Sequence, residues 1–192
     1  MPIQVRDNRS VRYGFAGLVT SSRREFFEAF FASVYPGKCF ELGSVGKRGV
    51  IERVMGRLNR SFGLAIKPRS VRAHLGTTTL WESQRGRQFP GKSWDQEYFD
   101  FMCDVQFVLC PPGDCVWSYR FFEAAMCGAI PVIEEPCPAY EGFRYRTLAD
   151  IANATYDQEA AEYNYSLCLK RVTVPRDELE REIARLICLH GG

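Results

Sequence analysis

The stretch that most narrows the fold runs from Val105 to Ile133 and reads VQFVLCPPGDCVWSYRFFEAAMCGAIPVI. It opens with an apolar run of strand length, rich in β-branched and aromatic residues. Pro111, Pro112 and Gly113 stop that strand, since proline cannot donate to a ladder and glycine relaxes the backbone. Ser118 is placed to cap a short helix over residues 119–127, and Gly128 ends it at the position where a left-handed conformation costs glycine little. A second apolar strand over 129–133 follows at once. Strand, loop, helix and strand make the repeating unit of an α/β protein. The expectation is a Rossmann-like parallel sheet with helices on both faces.

Within that helix Phe121, Phe122, Ala125 and Met126 share one face, and Arg120, Glu123 and Cys127 lie opposite. The apolar face can cover the sheet. The other presents a cation and a carboxylate near a helix N-terminus, just outside the carboxyl end of a strand. Open α/β sheets bind ligands there, and free backbone N–H groups favour an anion such as a phosphate. The plainer alternative is an exposed i,i+3 pair worth roughly 0.2–0.5 kcal/mol.

The rest of the chain fits the same plan. Residues 1–10 read as a polar, frayed lead-in. A first strand over 12–19 leads into a helix capped by Thr20 or Ser21 and running to about Tyr35. Phe26, Phe27, Phe30, Phe31 and Val34 form its core-facing stripe. Gly17 at the strand's end, with Arg23 and Arg24 in the helix's first turns, has the layout of a phosphate cradle, although a solvated face would also place two arginines there. Short strands are expected at 39–42, 62–66 and 77–81, a helix around 50–58, a polar loop over 83–92 and a helix over 94–103. Arg69 and Arg72 either approach a diphosphate or lie on the surface. Glu134 to Pro138 must leave the sheet as an irregular segment. Phe143 or Tyr145 either stacks on a base or packs in the core or at its rim. Two short helical pieces are expected over 145–169, an extended piece at 172–174 and an amphipathic closing helix at 176–189. The 192 residues suit a single domain.

The central run resembles the signature of the exostosin-like glycosyltransferases (family 47), whose architecture is the two-domain GT-B form. The residues that carry the likeness are Cys110–Pro111, Gly113, Ser118 and Arg120, Glu123–Ala124, Gly128 and Pro131–Val132, with Tyr98 to Cys103 matching the helix before the strand. The opening Arg12–Tyr13–Gly14–Phe15–Ala16–Gly17, followed by Arg23, is similar to the aromatic–x–Gly start of the family's nucleotide-sugar half. Pro112 stands where the family often has arginine. The resemblance implies one half of a GT-B enzyme, binding a nucleotide sugar, most plausibly uridine-linked. Glu123 would hold the ribose hydroxyls. Ser118, Arg120 and the helix N-terminus would meet the pyrophosphate at the Gly113 turn, with Arg23 or Arg24 facing it beyond Gly17. It implies an inverting transfer to a glycan or glycoprotein acceptor, with an acceptor half or partner subunit supplying the rest. No metal is implied, since there is no Asp-x-Asp motif, and the catalytic base is not assignable.

Charge and cysteine usage bear on partners and place. A net charge of +2 with interspersed signs gives no footprint for nucleic acid. The eight cysteines form no CxxC pair and only two histidines accompany them, so buried thiols or some disulfides are expected rather than zinc. Asn8, Asn59, Asn153 and Asn164 each begin an Asn-x-Ser/Thr sequon. These suggest a lumenal history, as the resemblance does through the Golgi. The chain as written carries no signal or membrane span and would stay in the cytoplasm. Both fit if it is part of a longer, membrane-anchored protein. Beside the transferase stand two other readings: a nucleotide-sugar-binding module without turnover, and a degenerate scaffold kept for association.

Overall fold

The computed structural model describes residues 6, 8–17, 19–38, 70–83, 96–113 and 115–190. The expected elements at 39–42, 50–58 and 62–66, the loop at 84–92, Arg69 and Asn59 lie outside them. The described strands are β1 (Val11–Gly17), β2 (Ser70–Leu75), β3 (Thr78–Ser83), β4 (Val105–Leu109), β5 (Ile130–Ile133) and β6 (Arg146–Thr147). The helices are α1 (Ser21–Val34), α2 (Gln96–Asp104), α3 (Tyr119–Met126), α4 (Gln158–Arg171) and α5 (Arg176–His190). Six strands form one sheet in the order β2-β3-β1-β4-β5-β6, parallel except for the β2–β3 hairpin. The α/β, Rossmann-like expectation is met.

The two sheet faces follow from strand alternation. Tyr13, Phe15, Phe107 and Leu109 point to one side, where α1 lays down Phe26, Phe27, Phe30 and Phe31, all buried. Phe15 meets Phe27 edge-on at 4.8 Å and Tyr13 meets Phe30 at 5.3 Å. Such geometry adds roughly 0.5–1.5 kcal/mol per pair beyond burial. The opposite face collects Ala16, Trp81 and Val108 under α2 and α3, where Phe101, Met102, Phe121, Ala124 and Ala125 are buried. Phe121 stacks on Tyr140 at 3.8 Å.

Gly128 closes α3 at φ 71°. Its N–H donates to the Ala125 carbonyl and the Ala129 N–H to the Ala124 carbonyl, the two bonds of a Schellman cap. That turn delivers the chain straight into β5. The helix is packed on more sides than a two-faced pattern implies, because Cys127 on its supposed outer face is fully buried.

Two expectations are corrected. Arg9 is not part of a frayed lead-in: it is 8% exposed, and its guanidinium donates to the Val105 carbonyl at 2.8 Å and the Cys127 carbonyl at 2.7 Å. A cation held by two backbone carbonyls pins the chain under the start of β4. The region 145–169 holds β6, a 3-10 turn (Ile151–Asn153) and one 14-residue helix in place of two short pieces. Asp157 starts that helix by accepting the Ala160 N–H at 3.1 Å, and buried Ala160 and Ala161 let it approach the core. β2 was not foreseen. It is an edge strand whose Arg72 pairs with Glu97 at 3.0 Å and lies 4.4 Å over the Trp81 ring, so the surface reading of that arginine holds.

Asn164 departs from its reading as a glycan acceptor. It is fully buried, its Nδ2 donates to the Arg144 carbonyl at 2.6 Å, and its Oδ1 accepts the Arg144 N–H at 2.8 Å. The side chain thus ties the segment before β6 to α4. Asn8 and Asn153 are exposed. No helix among the described residues is long and apolar enough to cross a membrane. On α5, Leu179 and Ile183 are 49% and 48% exposed.

Replacing Asn164 by Ala strands a backbone donor and acceptor together. It should cost about 1–3 kcal/mol of unfolding free energy, read as a lower urea midpoint. An unchanged midpoint would contradict the tie.

Candidate functional site

The chain runs from β1 outward to the β2–β3 hairpin, then starts β4 on the other flank of β1. β1 and β4 are therefore the switch point of the sheet. The crevice beyond their carboxyl ends is where such sheets take ligands. The loops after Gly17 and after Leu109 and the N-terminal ends of α1 and α3 border it.

Arg120, in the first turn of α3, crosses this crevice. Its Nε donates to the Ala16 carbonyl at 2.9 Å, and its guanidinium carbon sits 4.5 Å over the Phe15 ring. Its terminal nitrogen Nη1 is buried with no hydrogen-bond partner among the described residues. Gly17 makes room for the cation. A Cβ there would stand 2.3 Å from Arg120 Nη2, and the backbone has φ 149°, which L residues avoid. The glycine expected to admit a phosphate admits a guanidinium.

Arg23 reaches the same crevice from α1. It is half-buried, and its Nε donates to the Pro112 carbonyl at 3.2 Å. A Cβ on Gly113 would meet Arg23 Nη2 at 3.8 Å, an ordinary contact, and the residue has no positive φ. Glycine is not sterically required at 113. Arg24 is exposed on α1. Ser118 is the N-cap of α3, its Oγ accepting the Arg120 N–H at 3.3 Å. Its own N–H donates to the Tyr140 hydroxyl at 2.8 Å. Gly17, Arg23, Gly113, Ser118 and Arg120 thus gather at the switch point, while Arg24 stands aside.

Glu123 lies one turn further along α3, half-buried, and accepts the Tyr98 O–H on Oε2 at 2.7 Å. Burial and then the Glu123 charge hold the Tyr98 hydroxyl well above the usual tyrosine range, with Arg120 opposing. Burial also pushes the Cys110 thiol up to about 12, with Arg120 again opposing and Glu123 reinforcing. Cys110 is a neutral thiol, not a poised nucleophile. Tyr98 and Tyr140 were not singled out in the sequence. Their roles depend on packing across 25 and 22 positions, and no local pattern reports that.

On the β5 side of Cys110 and Pro112 lies a cavity of about 400 Å³, floored by Ile133 and Tyr140 and walled by Glu134 to Pro138. The irregular segment expected near a nucleotide base is one of its walls. A larger hollow of about 730 Å³ lies over Phe143 to Arg146 and the start of α4. It is farther from the crevice arginines, and its Arg144 is engaged with Glu159 and the Tyr163 ring. Phe143 is buried edge-on against Phe121 at 5.4 Å, and half-buried Tyr145 packs on Phe121 at 6.0 Å at the rim of the core. Cys103, Cys110, Cys127 and Cys168 are buried free thiols, and no disulfide joins the described cysteines. Among the described residues no group of His, Cys, Asp or Glu is arranged to hold a metal ion. Compared with known proteins, the chain matches no family model and no curated protein.

Gly17→Ala should lose about 1–3 kcal/mol, since the residue must both adopt a strained φ and displace the Arg120 guanidinium; chemical denaturation reads it. Alkaline pH should also destabilise the fold. An unfolded thiol ionises from its ordinary value of 9.0, whereas folded Cys110 stays protonated to about 12. The native state then binds the extra proton, and stability falls with rising pH by about 1.4 kcal/mol per pH unit for that group. Unfolding midpoints measured across this window should fall less steeply in Cys110→Ala, and an equal slope would contradict the assignment.

Proposed function

We propose that the chain is the donor-binding half of an exostosin-like, inverting glycosyltransferase that takes a uridine-linked nucleotide sugar. The observation that carries the reading is the meeting of Arg120, Arg23 and the capped N-terminus of α3 at the switch point, beside a cavity at the carboxyl ends of β4 and β5. A diphosphate in the crevice would find two guanidiniums and a helix N-terminus. Together these oppose the charge that grows on a departing nucleoside diphosphate. Glu123 would accept from the ribose hydroxyls. The nucleoside would lie toward the cavity walled by Glu134 to Pro138. An acceptor hydroxyl would attack the anomeric carbon in line as the diphosphate leaves. Its base and the glycan or glycoprotein acceptor would come from an acceptor half or partner subunit. The exposed sequons at Asn8 and Asn153 support a lumenal, Golgi setting within a longer anchored protein.

Isothermal calorimetry with UDP tests the site. Wild type should bind, and Glu123→Ala should weaken binding by about 1–3 kcal/mol through loss of a ribose partner. Arg120→Lys should weaken UDP while leaving uridine nearly unchanged, because the charge remains and the fork does not. A wild-type chain that gives no heat with UDP would overturn the reading. Incubation with UDP-sugars and hydroxyl acceptors then separates a transferase from a module that only binds.

A further inference from the structure

Glu123 has three kinds of polar neighbour. Tyr98 approaches from α2, Arg120 lies one turn back on the same helix, and the Cys110 and Cys127 thiols lie at the end of β4 and the end of α3. Only Tyr98 is within hydrogen-bond reach, at Oε2, and Oε1 has no partner among the described residues. Arg120 is the competitor. Its buried Nη1 is unsatisfied, and an i,i+3 spacing on a helix lets a carboxylate swing onto a guanidinium. A Glu123 captured by Arg120 would cancel the cation meant for a diphosphate and hide the acceptor meant for a sugar. The Tyr98 hydroxyl stands against that collapse. Its ring is half-buried against the core and edge-on to Phe99 at 5.2 Å, so the donor is held in place.

We propose that Tyr98 is a positioning residue for ribose recognition: by holding Oε2 of Glu123 it keeps the carboxylate off Arg120 and leaves Oε1 to accept from the vicinal hydroxyls of a nucleotide's ribose. This rests on the donor site proposed above. Because Tyr98 stays protonated well past its ordinary range, the donor persists across any physiological pH. The arrangement separates two tasks on one helix face. The guanidinium of Arg120 serves the diphosphate, and the carboxylate of Glu123 serves the sugar.

The test compares UDP with 2′,3′-dideoxy-UDP by calorimetry in wild type, Tyr98→Phe and Glu123→Ala. Wild type should prefer UDP by about tenfold, the worth of one good hydrogen bond to a charged group. Tyr98→Phe should lose most of that preference, weakening UDP by a larger factor than dideoxy-UDP, and the double variant should lose no more than Glu123→Ala alone. A merely structural Tyr98 would weaken both ligands by the same factor, which overturns the inference and leaves the donor site standing. A wild type that binds UDP but does not discriminate also overturns it. Wild type blind to UDP overturns both readings. Should Tyr98→Phe fail to fold, a crystal structure of the wild-type chain with UDP decides. Tyr98 must still bond Oε2 with the ribose on Oε1, and a broken Tyr98–Glu123 bond refutes the assignment.

Discussion

The guanidinium of Arg120 lies on the Phe15 ring and gives its Nε proton to a carbonyl near the end of β1. It joins the two elements on either side of the point where the sheet changes direction. A cation over an aromatic face contributes about 0.5–1 kcal/mol when exposed and more as water is excluded. The charge-assisted bond to the Ala16 carbonyl adds to that. The contact exists only because Gly17 has no side chain. One arginine packed against a glycine thus ties the start of α3 to the end of β1.

Around that strut the polar groups are sorted by depth. Arg23 takes the carbonyl of Pro112, which holds the loop after β4 against α1. Tyr140 receives the Ser118 N–H while its ring stacks on Phe121, so the start of α3 is fixed from below by an aromatic pair and from the side by a hydroxyl. Cys110 is buried and neutral beneath them. Backbone carbonyls and rings organise the described part of the crevice.

Local pattern carried much of this. The phenylalanine stripe of α1, the Ser118 cap and the Gly128 terminator are short-range signals, and each lies where spacing placed it. Long-range polar contacts were not legible. Arg9 looked like part of a solvated lead-in because nothing nearby says that two carbonyls 96 and 118 positions away await it. The single α4 helix was obscured by a buried asparagine in the middle of its packed face, which breaks the apolar period. Gly113 lies in the turn after β4 with no positive φ and room for a Cβ. Tyr98 entered the sequence analysis only through the helix it belongs to, and its meaning came with the bond to Glu123.

The amide of Asn164 has a consequence in time. Wherever an oligosaccharyltransferase meets this chain, that asparagine can be reached only before α4 docks, because afterwards both ends of its side chain are committed to Arg144. A sugar placed there early would bar the lock from closing. A modified Asn164 would therefore mark chains whose last third had not yet assembled when the enzyme passed. Glycans on Asn8 or Asn153 would carry no such record.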